Sequence, residues 1–144
     1  MNVNPLHHFM NEAILEGRKA REHCAPNPPV GCVLVRNNRI IARGHTQPPG
    51  QDHAEAMALG QLPEASSSMT AYVTLEPCSF HGRTPSCAKT LIQNGVETVY
   101  VGMIDPDPRN NGKGIEMLRS AGIQVHLGMM KDIIEQDLKD FLTG

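Results

Sequence analysis

The chain has 144 residues, 15 acidic against 13 basic side chains, a net charge of −2, and only three Phe and two Tyr. That is enough chain for one domain with a real core, while the mixed charge and scarce rings give a polynucleotide neither a basic track nor stacking platforms. No apolar run approaches the ~18 residues of a membrane span, and the start, Met1-Asn2-Val3-Asn4-Pro5, lacks the basic-then-apolar pattern of a signal peptide.

The expectation is therefore one cytoplasmic domain over residues 1–144. Thiols stay reduced in that compartment, and paired cysteines there more often bind metal than form disulfides. Asn4-Pro5 is a helix start, an N-cap followed by proline at the first helical position. Leu6, Phe9, Met10, Ala13 and Ile14 continue at helical spacing and predict a helix to about residue 21. Three prolines in Ala25-Pro26-Asn27-Pro28-Pro29 stop it. Two β-rich runs, 30–35 and 39–42, flank Asn37-Asn38 and predict a hairpin. A Gly/Pro loop then leads to His53, and residues 53–62 read as a helix.

Residues 70–75 predict a strand that ends at Glu76-Pro77. Thr84 is read as the cap of the next helix, with Pro85 and Cys87 in its first turn and Gly95 closing it. The apolar run 96–104 predicts a strand at the sheet centre. Asp105-Pro106-Asp107-Pro108 is a loop, 115–121 a helix, 123–127 a strand and 131–142 a final amphipathic helix. A hairpin followed by alternating helices and strands predicts a three-layer α/β/α sandwich around a mixed five-stranded sheet. The later crossovers make part of that sheet parallel.

Chemistry concentrates in two stretches, His53-Ala54-Glu55 and the segment from Pro77-Cys78 to Cys87. Catalytic zinc takes three protein ligands and keeps one position for water. His53, Cys78 and Cys87 supply that number, and each falls at the end of a predicted element. A cysteine in a helix's first turn is favoured as thiolate by the helix dipole. Glu55, two residues beyond His53, suits an uncoordinated general base. The pattern H-x-E with Pro-Cys is that of zinc deaminases, although here eight residues separate Cys78 from Cys87. A purely structural zinc takes four protein ligands, and no fourth is evident. Cys24 and Cys32 read as core residues, and His7, His8, His23 and His126 as surface or packing residues. His45 and His81 fall in loops near the proposed site.

The run Thr74-Leu75-Glu76-Pro77-Cys78-Ser79-Phe80-His81-Gly82-Arg83-Thr84-Pro85-Ser86-Cys87, with Pro26-Asn27-Pro28-Pro29-Val30-Gly31 and His53-Ala54-Glu55, closely resembles the pyrimidine deaminase family of riboflavin biosynthesis. That family lies within the cytidine-deaminase-like superfamily. The resemblance implies zinc on His53, Cys78 and Cys87, with Glu55 as proton shuttle. It implies hydrolytic deamination of a diamino-ribosylamino-pyrimidinone 5′-phosphate, and a homo-oligomer. Substrate contacts carried over, or inferred from the departures, are Asn27, Phe80, Arg83, Thr84, Asp105 and Asp107.

The family usually has histidine where this chain has Phe80, and asparagine where it has Asp107. Both changes fall in the pocket region and leave open a paralogue acting on another small aminopyrimidine or purine-like base. The reductase domain commonly fused behind this deaminase is expected to be absent, leaving a separate reductase as a candidate pathway partner.

Overall fold

The computed structural model describes residues 5–62, 68–80 and 85–142. Helix α1, Pro5–Arg18, buries Phe9, Met10, Ala13 and Ile14. It ends one turn before the expected boundary, and the chain continues in tighter turns such as Ala20 N–H to Gly17 O at 3.0 Å. The helix lies so close to the sheet that a Cβ on Gly31 would run into the Ala13 carbonyl oxygen, which explains the glycine at the start of β1.

Strands β1 (Gly31–Arg36) and β2 (Arg39–His45) form the predicted antiparallel hairpin. Asn37 and Asn38 both take positive φ, 52° and 62°, the geometry that lets a two-residue turn follow strand twist. Helix α2 is Ala54–Leu59, shorter than the expected 53–62, with His53 as its N-cap residue. Strand β3 (Met69–Leu75) pairs antiparallel with β1 and parallel with β4 (Val96–Met103), which pairs parallel with β5 (Gln124–Leu127). The order is β2-β1-β3-β4-β5. The centre is therefore β3, where the apolar run of β4 predicted β4. Both strands are internal and covered on two faces, so both read as apolar, and sequence pattern does not rank them.

Helices α3 (Cys87–Gln93) and α4 (Lys113–Ser120) make the crossovers, and α5 (Lys131–Leu138) closes the chain, a turn short of the expected end at residue 142. With α2, α3 and α4 the sheet encloses Leu34, Val73, Leu91, Val99 and Leu118; with α1 and α5 it encloses Met10, Val33, Tyr72, Ile134 and Leu138. The three-layer α/β/α architecture holds, and no helix among the described residues is long and apolar enough to cross a membrane.

Candidate active site

Three element ends meet above the carboxyl end of β3. His53 is extended at the start of α2, Cys78 lies three residues beyond β3, and Cys87 opens α3. His53 Nδ1 is 3.1 Å from Cys87 Sγ and 3.9 Å from Cys78 Sγ. The Cys87 backbone N–H donates to Cys78 Sγ at 3.2 Å. The three donor atoms lie within 4.8 Å of one another, positioned to bind one metal ion. Hydrogen bonds from Cys87 and His53 overcome burial and hold Cys78 below the ordinary thiol range, whereas the hydrogen bond that Cys87 makes to Cys78, with burial, pushes Cys87 up. One negative charge is thus stable on the pair unaided, and a divalent cation supplies the attraction that the second thiolate needs. Two sulfurs and an imidazole are also the donor types that suit zinc.

The loop is locked to α3 by Ser86, whose hydroxyl donates to Cys78 O at 2.8 Å and accepts from Lys89 N at 3.2 Å. Ser86, one residue before the first helical turn, is the helix cap, where Thr84 is the expected one. His81, Arg83 and Thr84 lie outside the described residues.

Glu55, in the first turn of α2, is 3% exposed and lines the same cleft as His53 and Cys78. Burial, then the charge of Cys78, pushes its carboxyl up to about 7. A buried carboxyl that exchanges its proton near neutrality is suited to proton transfer.

The cleft, of about 740 Å³, is also lined by Asn27, Phe80, Asp105 and Asp107, so the structure brings all four described candidates for substrate contact to the metal site. Asn27 is held by the proline segment, which Thr46 fastens by accepting from Val30 N and donating to Pro28 O, each at 2.9 Å. Asp105 accepts from Asp107 N at 3.0 Å and Asn110 Nδ2 at 3.4 Å, and burial raises its pKa. Asp107 pairs with Arg109, Nη2 to Oδ2 2.7 Å. His45 is turned away from the metal donors: its Nδ1 lies 2.8 Å from Glu16 Oε2, and its ring meets His23 edge-on. Cys24 and Cys32 are buried as expected, His7, His8 and His23 are exposed, and His126 stacks on Tyr100 at 4.7 Å.

Sequence reasoning missed Glu76 and Asn110. Glu76, 3% exposed, accepts from the backbone N–H groups of Asp105, Gly112 and Ile115 at 3.1, 2.9 and 3.0 Å. Fully buried Asn110 straddles Cys78, donating to Pro77 O and accepting from Ser79 N, each at 3.2 Å. A carboxylate beside Pro-Cys and an asparagine in a polar loop carry no signal in sequence that separates this work from solvation.

The sequence profile of the cytidine and deoxycytidylate deaminase zinc-binding region matches residues 3–103. The chain belongs to this family. Among relatives, the riboflavin biosynthesis protein RibD of Aquifex aeolicus is 42% identical over 94% of this chain and 38% of its own length. The diaminohydroxyphosphoribosylamino-pyrimidine deaminase of Buchnera aphidicola is 39% identical over 92% of this chain and 90% of its own. A Thermotoga maritima protein, described as a diaminohydroxyphosphoribosylaminopyrimidine deaminase and 5-amino-6-(5-phosphoribosylamino)uracil reductase, superposes with a TM-score of 0.91 at 39% identity, over 96% of this chain and 40% of that one. The chain thus spans under two fifths of the length of that RibD relative but nearly all of the shorter deaminase. As a member of the zinc-binding deaminase family, the chain places His53, Cys78 and Cys87 where a resident zinc binds.

Proposed function

We propose that the protein is the deaminase of riboflavin biosynthesis, replacing an exocyclic amine of a diamino-ribosylamino-pyrimidinone 5′-phosphate with a carbonyl oxygen. The observation that carries this is Glu55, buried beside a cluster of one imidazole and two thiols and opening on a cleft. The likeness to the Buchnera deaminase along nearly its whole length supports the substrate class.

His53, Cys78 and Cys87 would hold the zinc, which would supply Lewis acidity to make water a better nucleophile. Glu55 takes one proton from the attacking water as its oxygen adds to the amine-bearing carbon and passes it to the ring nitrogen, then carries the second proton of that oxygen to the departing amine. Water and substrate yield the carbonyl product and ammonia. Asn27 and Asp105 orient the pyrimidine in the cleft, and Phe80 and Asp107 form part of its rim. Arg83 and Thr84 belong to the same motif. Ammonia release from the phosphorylated pyrimidinone tests the proposal; none from a zinc-loaded sample would reject the substrate.

Phe80 and Asp107 favour a second reading, a paralogue acting on another small aminopyrimidine or purine-like base. It is weakened by Arg109, which matches the charge that Asp107 introduces. A preference for an unphosphorylated base in a substrate panel would establish it.

The rest of the proposal is a cytoplasmic homo-oligomer acting on a small molecule, with a reductase activity consuming the product. Four free cysteines agree with a reducing compartment, and the pairing of activities in the Thermotoga relative's description supports the reductase step. Sedimentation of the purified protein tests the oligomer.

A further inference from the structure

The two positions that depart from the family pattern, Phe80 and Asp107, converge on a third residue. The Arg109 guanidinium lies 4.6 Å from the Phe80 ring centroid. Its Nε donates to Asp107 Oδ1 at 3.1 Å and its Nη2 to Oδ2 at 2.7 Å. The Arg109 backbone N–H also donates to Asp107 Oδ1 at 2.9 Å, so the carboxylate holds both ends of the residue. A planar, always-charged fork seated on a ring and aligned by a carboxylate is pre-organised to recognise an oxyanion.

All three residues line the cleft that contains Glu55 and Cys78, and Arg109 is the only lysine or arginine among its described lining residues. Of the cleft's carboxylates, Glu76 is engaged by three backbone N–H groups and Asp107 by Arg109 itself. Arg109 spends Nε and one edge of Nη2 on Asp107, which leaves Nη1 for a ligand, and its side chain is 70% exposed.

The geometry points to Arg109 as the residue that takes the phosphate end of the substrate, with Asp107 and Phe80 holding its guanidinium in place at the cleft mouth. This rests on the proposed phosphorylated aminopyrimidine substrate and adds its anion contact. The two departures are then one unit: Asp107 aligns the cation and Phe80 supports it.

Ammonia release is measured on the phosphorylated pyrimidinone and on its dephosphorylated counterpart. The proteins are wild type, Arg109→Gln, Arg109→Lys and the double variant Asp107→Asn/Arg109→Gln, which leaves no unpaired carboxylate at the rim. Loss of a charged hydrogen bond raises KM for the phosphorylated substrate by roughly ten- to a hundredfold in Arg109→Gln and in the double variant. Because the contact is remote from the reacting carbon, kcat of Arg109→Gln stays within about threefold and its KM for the dephosphorylated substrate within about twofold. Arg109→Lys recovers part of the loss. An equal effect on both substrates, or none, overturns the assignment.

If neither pyrimidinone is turned over, the substrate reading fails, and titration with ribose 5-phosphate decides Arg109 separately. Weaker binding by Arg109→Gln than by wild type sustains it. Equal binding, or none by wild type, overturns it.

Discussion

Glu55 shows how one side chain's surroundings set its chemistry. Burial and the Cys78 charge leave a carboxyl that releases its proton only near neutrality. Glu55→Gln keeps the shape and removes proton transfer, so kcat should fall by roughly 10²–10⁴-fold with zinc content unchanged; ammonia release and metal analysis on one sample check both. Cys87→Ala removes a donor from a set of three, and the purified variant should hold well under one zinc per chain. The cluster stood out in the sequence because its spacing is itself chemical: His53-Ala54-Glu55 and Pro77-Cys78 set metal donors beside a carboxylate that can stay uncoordinated. Arg109 did not, because nothing in Asp-Pro-Asp-Pro-Arg says that the arginine folds back onto Phe80, 29 positions earlier.

At the scale of elements, the segment after β3 and the start of α4 behave as one piece. A Cβ on Gly114 would strike the Pro77 carbonyl oxygen, and Glu76 and Asn110 fill the remaining space with hydrogen bonds. Glu76→Ala strands three backbone N–H groups and should destabilise the fold by at least about 3 kcal/mol, read from denaturant unfolding. Asn110→Ala frees the backbone on both sides of Cys78, so it should weaken zinc binding more than it lowers the unfolding midpoint. Chelator competition beside thermal unfolding separates the two effects. Local chemistry told the elements apart where it was self-contained: Asn37-Asn38 specified its hairpin turn, whereas α1 ends at Arg18, before the proline cluster is reached. It failed where an end is fixed by a distant partner. Ser86 caps α3 and also reaches the Cys78 carbonyl, a contact that no local pattern encodes.

Across the whole molecule, the alternation of helices and strands specified the layers, but strand order depended on pairings between segments far apart in the chain. One such long-range link sets an acid limit. Burial raises the pKa of the Glu16 carboxyl, but hydrogen bonds from His45 and Lys19 outweigh it, leaving the group below its ordinary value of 4.5. A depressed folded-state pKa stabilises the protein above the ordinary value, and this contribution disappears as pH falls through the folded-state value. Thermal midpoints should therefore drop on acidification below about pH 4.5. His45→Ala should flatten that slope and leave the neutral-pH activity of the cleft in place, since His45 faces Glu16.

The three metal donors sit at the tips of elements: before α2, after β3 and at the first residue of α3. None lies within the sheet's ladder of hydrogen bonds. The protein can therefore be silenced without being dismantled. Small zinc modules collapse when stripped of their ion, whereas dialysis against a chelator should leave this chain with its helix and sheet signal and no turnover. Returning zinc should restore activity without a refolding step. On that outcome, metal content would set turnover while the fold persists.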